Sequence, residues 1–159
     1  MSHEGHAGLE GNPGGAMRPV QVGIVLICVT VVVSIVVVSL AVAASVWDGV
    51  YTEEQAKRGE AVYYQRCAAC HGPQLEGGDM TPTLVGGVFT STWNELPLLD
   101  LFERIRITMP LDRPSTLSRQ QTADVLAFLL KSNTWPAGET ELPREAEPLR
   151  DIQIQALKP

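Results

Sequence analysis

Apolar and polar positions along this 159-residue chain follow two different rules. From Val22 to Val46 it reads VGIVLICVTVVVSIVVVSLAVAASV, 25 residues without a charge, Asn, Gln or Pro. Beyond that run, apolar residues recur every three or four positions, the period of an amphipathic helix. Ala56, Gly59, Tyr63, Cys67 and Cys70 fall on one face of such a helix. Thr52 and Gln55 are expected to open it as a capping box, with Glu53 and Glu54 in its first turn. The CAACH stretch then lies at its C-terminal end, and Gly72-Pro73 stops it. Residues 72–92, rich in Gly, Pro and Thr, are expected as a loop. Pro97 is placed to open a short helix, LPLLDLFERIRI, with Leu98, Leu101, Phe102 and Ile105 inward. Ser118 and Gln121 form a second capping box; its helix buries Val125, Leu126, Phe128 and Leu129, and Asn133 and Pro136 end it. Residues 134–159 hold four prolines and little periodicity, which predicts an extended tail. No strand pattern appears outside the apolar run, so the predicted fold class is all-α.

As a helix the apolar run measures about 38 Å at 1.5 Å per residue. A bilayer core of about 30 Å needs roughly 20 such residues. Its valines would favour a strand in water, but a lone strand in lipid leaves its backbone unpaired, whereas a helix does not. Trp47 and Tyr51 follow where amphipathic rings favour the membrane interface. A cleaved signal peptide is the alternative, with Ala41-Val42-Ala43 as a small-residue cleavage site. Against it, the run exceeds a signal core of about 7–15 residues, and the segment before it carries one Arg. The expected organisation is a disordered segment over 1–19, a transmembrane helix over 20–47, a helical domain over 48–133 and the tail over 134–159. His3 and His6 lie in the first segment, and Cys28 within the span is read as a small lipid-tolerant residue.

Net charge is −6, with no basic footprint, which excludes nucleic acid as a partner. The acidity is spread along the chain, so no segment is an acidic tail.

Residues 66–72 read RCAACHG. Two of the chain's three cysteines and one of its three histidines crowd into four positions there. Three chemistries use cysteines at this spacing. Structural zinc needs four ligands, and adjacent Cys70 and His71 are poorly placed to share one metal. A thioredoxin-like dithiol needs a strand leading into the motif, whereas here a helix leads in. Covalent haem attachment fits best: Cys67 and Cys70 add to the two vinyl groups, and His71 is placed to coordinate iron. This predicts one covalently attached haem c. Attachment of that kind is made on the outer side of a membrane, which places residues 48–159 in the periplasm or at the cell exterior.

A second axial ligand follows by elimination. No histidine follows His71, and the only methionines after the apolar run are Met80 and Met109. Met80 lies nine residues from His71 in a loop held on the His71 side, where it reads as filler or a loop contact. Met109, in Ile-Thr-Met-Pro, has enough chain before it to wrap the ring, and Met/His ligation is the electron-transfer choice. Trp93 is expected to pack, with a hydrogen bond to a haem propionate as the alternative.

With these landmarks in order over about residues 52–131, the chain resembles a class I c-type cytochrome. The resemblance implies a small haem domain in which Gly59 and Tyr63 pack against Phe128 of the last helix, Gly59 letting the helices cross closely. It also implies that Pro82, in Pro82-Thr83-Leu84-Val85-Gly86, accepts a hydrogen bond from His71 through its carbonyl. The stretch ITMP…LSRQQTADVLAFLL…WPAGETELP is similar to cytochromes associated with quinoprotein-type alcohol and sugar dehydrogenases. The implied role is not enzymatic: a membrane-anchored monohaem electron carrier, or the cytochrome subunit of a larger respiratory, dehydrogenase or photosynthetic complex, in a bacterial inner membrane. Implied partners are the membrane and a redox protein: a dehydrogenase, cytochrome bc complex, oxidase or reaction centre. Two alternatives stand: a haem enzyme or gas sensor if Met109 leaves the iron open, and a thiol oxidoreductase if Cys67 and Cys70 remain free.

Overall fold

The computed structural model of the chain describes residues 44–159. The helices are α1 (Glu53–Arg66), α2 (Ala68–His71), α3 (Gly86–Trp93), α4 (Leu98–Thr108), α5 (Arg119–Ser132) and α6 (Ala146–Arg150). Two short strands, β1 (Ala44–Ser45) and β2 (Ile152–Gln153), pair in parallel, with Ala44 opposite Ile152 and Ser45 opposite Gln153. The expected mostly helical domain is present.

The centre of the domain is the crossing of α1 and α5. A Cβ built on Gly59 would stand 1.8 Å from the Asp124 carbonyl oxygen, so only glycine permits this approach. One turn further along, the Tyr63 and Phe128 rings lie 5.3 Å apart, as the resemblance implied. Arg58 bridges the same crossing, reaching Asp124 on α5 at 3.0 Å and Glu141 beyond it at 2.8 Å. Helix α4 turns Leu98, Leu101, Phe102 and Ile105 inward, as its periodicity predicts, and packs on α5 and α6. Helix α5 opens with the expected reciprocal box between Ser118 and Gln121 and ends at Asn133.

The predicted span over 20–47 lies outside the described residues except at its end, and there the structure departs from it. Val46–Asp48 form a 3-10 turn after β1 rather than a helix terminus. Ser45 and Asp48 cap that turn reciprocally, a local alternative to continuing a helix. Tyr51, expected at a membrane interface, is instead buried, with its hydroxyl donating to the Trp135 carbonyl at 2.6 Å. Among the described residues no helix is long and apolar enough to cross a membrane.

Three further expectations change. Thr52 caps α1 by accepting from the Gln55 N–H, but the Gln55 side chain does not return the bond. It is fully buried and pairs with both backbone groups of Leu142, accepting at 2.7 Å and donating at 3.1 Å. A buried amide must find partners, and this pair satisfies it better than the cap would. The stretch 72–92, expected as loop, contains all of α3 but its last residue. Phe89 and Trp93, one turn apart, pack 6.4 Å from each other, and the hydroxyls of Thr90, Ser91 and Thr92 bond back to carbonyls of the same helix. Residues 134–159, expected as an extended tail, include α6 and β2 and bury Trp135, Leu142, Leu149, Ile152 and Ile154. Burying each such aliphatic side chain stabilises the domain by about 1.5–3 kcal/mol.

Gly59→Ala is expected to force the α1–α5 crossing apart and to cost about 1–3 kcal/mol, the range for an overpacked contact. Denaturant unfolding of the variant measures this, and an unchanged midpoint would mean the crossing is not set at residue 59.

Candidate cofactor site

The apolar stripe of α1 runs outward along its length. Ala56 and Tyr63 are fully buried, Cys67 is half-buried and Cys70 is exposed. The helix does not carry CAACH in one piece, as the periodicity predicted. Cys67, at φ −125° and ψ −38°, breaks it, and α2 restarts at Ala68. The Cys67 carbonyl accepts from the N–H groups of Cys70 (3.1 Å) and His71 (2.9 Å), so the motif is one tight turn set off from α1. The Tyr63 hydroxyl donates to the Gly72 carbonyl at 2.6 Å and ties the end of that turn to the α1–α5 core. Burial pushes the Tyr63 phenol up to about 12, so it stays a donor.

The His71 ring is buried, and its Nδ1 lies 3.0 Å from the Pro82 carbonyl oxygen. A carbonyl only accepts, so Nδ1 carries the proton and Nε2 of the neutral ring keeps its lone pair. That is the tautomer a metal-binding imidazole needs. The segment presenting the carbonyl is held closely. Gly77 donates to the His71 carbonyl at 2.8 Å and has φ +76°. A Cβ on Gly77 would come within 2.5 Å of the Thr81 oxygen and 2.7 Å of both the Pro82 carbonyl carbon and the Thr83 nitrogen. Thr83 donates through its hydroxyl to the Leu75 carbonyl at 3.1 Å, and Leu84 through its N–H at 2.8 Å. Asn133, at the end of α5, donates to the carbonyls of Leu84 and Leu129, each at 2.9 Å, and accepts from the Gly86 N–H at 3.0 Å.

Met109 directly follows α4 and is partly buried against the core, while Met80 is 96 % exposed in the loop after α2. Trp93 packs beside Phe89. Leu84, Val85, Trp93, Met109, Cys67 and Ala68 all pack as half-buried side chains on one continuous core. The structure therefore joins His71 to Pro82 directly, and sets Cys67 and Met109 against the same core.

These residues fit a covalently bound haem. They offer two free thiols, an imidazole whose Nδ1 is engaged by Pro82 so that Nε2 is left for a metal, a thioether and half-buried apolar side chains packed on the core. Among the described residues no three His, Cys, Asp or Glu side chains are grouped as a structural zinc site would group them. The dithiol chemistry fares little better. Burial pushes the Cys67 thiol up to about 11, with Arg66 lowering it less, whereas a redox-active thiol needs a depressed value.

Sequence reasoning missed Gly77 and the role of Asn133. Gly77 stood out only as one glycine in a glycine-rich loop, and Asn133 only as a helix stop; their contacts are with segments distant along the chain.

Residues 54–129 match the family described as cytochrome C oxidase, cbb3-type, subunit III. This stretch, just under half of the chain, is similar to a cytochrome c domain, a family whose work is electron transfer. No curated protein matches the chain. One solved structure resembles it: a chain in the crystal structure of the sulfane dehydrogenase SoxCD from Paracoccus pantotrophus, 28% identical, with a TM-score of 0.45, over 60% of this chain and 55% of that one. The chain thus spans about half the length of that relative.

In protein carrying free thiols, iodoacetamide at pH 8 is expected to modify Cys70 more than tenfold faster than Cys67. A thiol titrating near 11 is only about one thousandth thiolate at that pH. Mass mapping of the adducts over time checks the order, and equal rates would contradict it.

Proposed function

We propose that the chain is a membrane-anchored monohaem c-type cytochrome. It carries single electrons on the outer, periplasmic side of a bacterial inner membrane, as a tethered carrier or as the cytochrome subunit of a larger respiratory, dehydrogenase or photosynthetic complex. The observation that carries the haem reading is the 3.0 Å contact between His71 Nδ1 and the Pro82 carbonyl, beside two free thiols. Cys67 and Cys70 are assigned as thioether anchors, with His71 and Met109 as axial ligands. When bound, a haem held this way supplies a one-electron couple with no coordination position left for a substrate.

The residues divide the remaining work. Pro82 fixes the imidazole plane and raises its basicity by accepting from Nδ1. Met109 contributes a soft thioether, which favours the reduced state and raises the potential. The apolar side chains around them limit water and so help set that potential. The uncharged run from Val22 supports the anchor on length alone. An anchor raises the effective concentration at partners in the same membrane without any new contact. The matched family's name points to an oxidase as one partner class, and the resemblance to cytochromes of quinoprotein-type dehydrogenases points to another.

Met109→Ala is expected to leave haem attached, to abolish the weak near-infrared methionine–iron band and to lower the potential by at least about tenfold in the oxidised-to-reduced ratio. His71→Ala is expected to yield no stable holoprotein. An unchanged potential in the first variant, or normal haem spectra in the second, refutes the ligand assignment.

For the anchor, protease added to intact spheroplasts is expected to remove the haem-staining domain from the membrane fraction. Haem that stays protected, or that appears in the soluble fraction without protease, refutes the placement.

A further inference from the structure

We infer that Asn133 is a positioning residue for His71, acting through the Pro82 carbonyl. This rests on the reading of His71 as the proximal iron ligand. Pro82 is itself exposed, and the bonds of its own loop, from Thr83 and Leu84 to the Leu75 carbonyl, tie the segment only to another part of the same loop. Yet the residue two positions on is held through both of its backbone groups: Leu84 donates to Leu75 at 2.8 Å and accepts from Asn133 at 2.9 Å. Asn133 also accepts from the Gly86 N–H at 3.0 Å, which closes a clamp over Leu84–Gly86.

The clamp is anchored on α5 because Asn133 is itself held there. It is 9% exposed, and its backbone N–H and its side-chain amide both return to the Leu129 carbonyl, at 3.1 Å and 2.9 Å. It closes α5, the helix that crosses α1 at Gly59. The acceptor facing His71 Nδ1 is therefore referenced to α5 through one side chain, in addition to the bonds within its own loop. A helix cap alone would need only the Leu129 contact. The bonds to Leu84 and Gly86 reach 49 and 47 residues back along the chain and add nothing to the helix end.

A firmer Nδ1–H to carbonyl bond makes the imidazole a stronger donor and favours ferric iron. Loosening the clamp is expected to raise the potential. The test uses holoprotein and three variants. Asn133→Ala removes the clamp. Asn133→Asp keeps the shape and the acceptor for Gly86, but its side chain cannot donate to Leu84 or Leu129, while the backbone bond to Leu129 remains. Tyr51→Phe removes a buried hydrogen bond elsewhere, to Trp135. Both Asn133 variants are expected to shift the oxidised-to-reduced ratio toward the reduced form by about threefold or more, and to move the His71 Nδ1 proton resonance upfield. Tyr51→Phe is expected to lose stability with both readouts unchanged. If Asn133→Ala does not assemble, Asn133→Asp decides. Asn133 variants that unfold more easily but keep the parent potential and Nδ1 resonance overturn the inference and leave a plain helix cap. Failure of the ligand reading is separate: it appears as normal haem spectra in His71→Ala.

Discussion

The close approach of α1 and α5 at Gly59 is the constraint on which the domain depends. With the Asp124 carbonyl where a side chain would stand, the two helices pack backbone against backbone. That depth brings Tyr63 onto Phe128 and sets the direction in which α1 delivers its last turn. From Tyr63 the order passes through one hydrogen bond to Gly72, and so to the tight turn that carries Cys67, Cys70 and His71. A motif on an exposed turn needs such a reference, because the turn's own bonds fix its shape but not its place.

The C-terminal stretch is the second structural support. The Gln155 carbonyl accepts from the indole N–H of both Trp47 and Trp135, at 2.9 Å and 3.0 Å. The Ser45 hydroxyl meets the Gln155 side chain at 2.5 Å. Leu142, through Gln55, joins the same stretch to the first turn of α1. Residues 44–51 and 135–155 thus close around the helices from both sides of them in the sequence. This explains why Tyr51 and Trp135 are core residues and not surface ones. It also explains why Gln55 leaves its cap unfinished: a buried amide gains more from two backbone partners than from one exposed bond.

Much of the site is legible in the order of residues. The spacing of Cys67, Cys70 and His71 states a chemistry, and the helical periods around Leu98–Ile105 and Val125–Leu129 state which faces are buried. Capping at Ser118 is legible because both partners lie within one turn. Helix α3 is not, since Gly86-Gly87 and a run of Thr and Ser read as loop until their hydroxyls find carbonyls in the same helix. The break at Cys67 is invisible for the opposite reason: the stripe of α1 continues in phase through a residue whose backbone leaves the helix.

What the order of residues states alone is local: a C-x-x-C-H spacing suited to haem attachment, the helical faces of α1, α4 and α5, the cap of α5 and the uncharged run from Val22. Each depends on neighbours within a few positions, so periodicity and residue type suffice. Tertiary packing settled the rest. It placed the Pro82 carbonyl against His71, gave Asn133 a grip on Leu84 and Gly86, excluded any side chain at Gly77 and folded residues 134–159 into the core. Those contacts join segments tens of residues apart, and a buried polar group takes whichever partner the packing brings within about 3 Å.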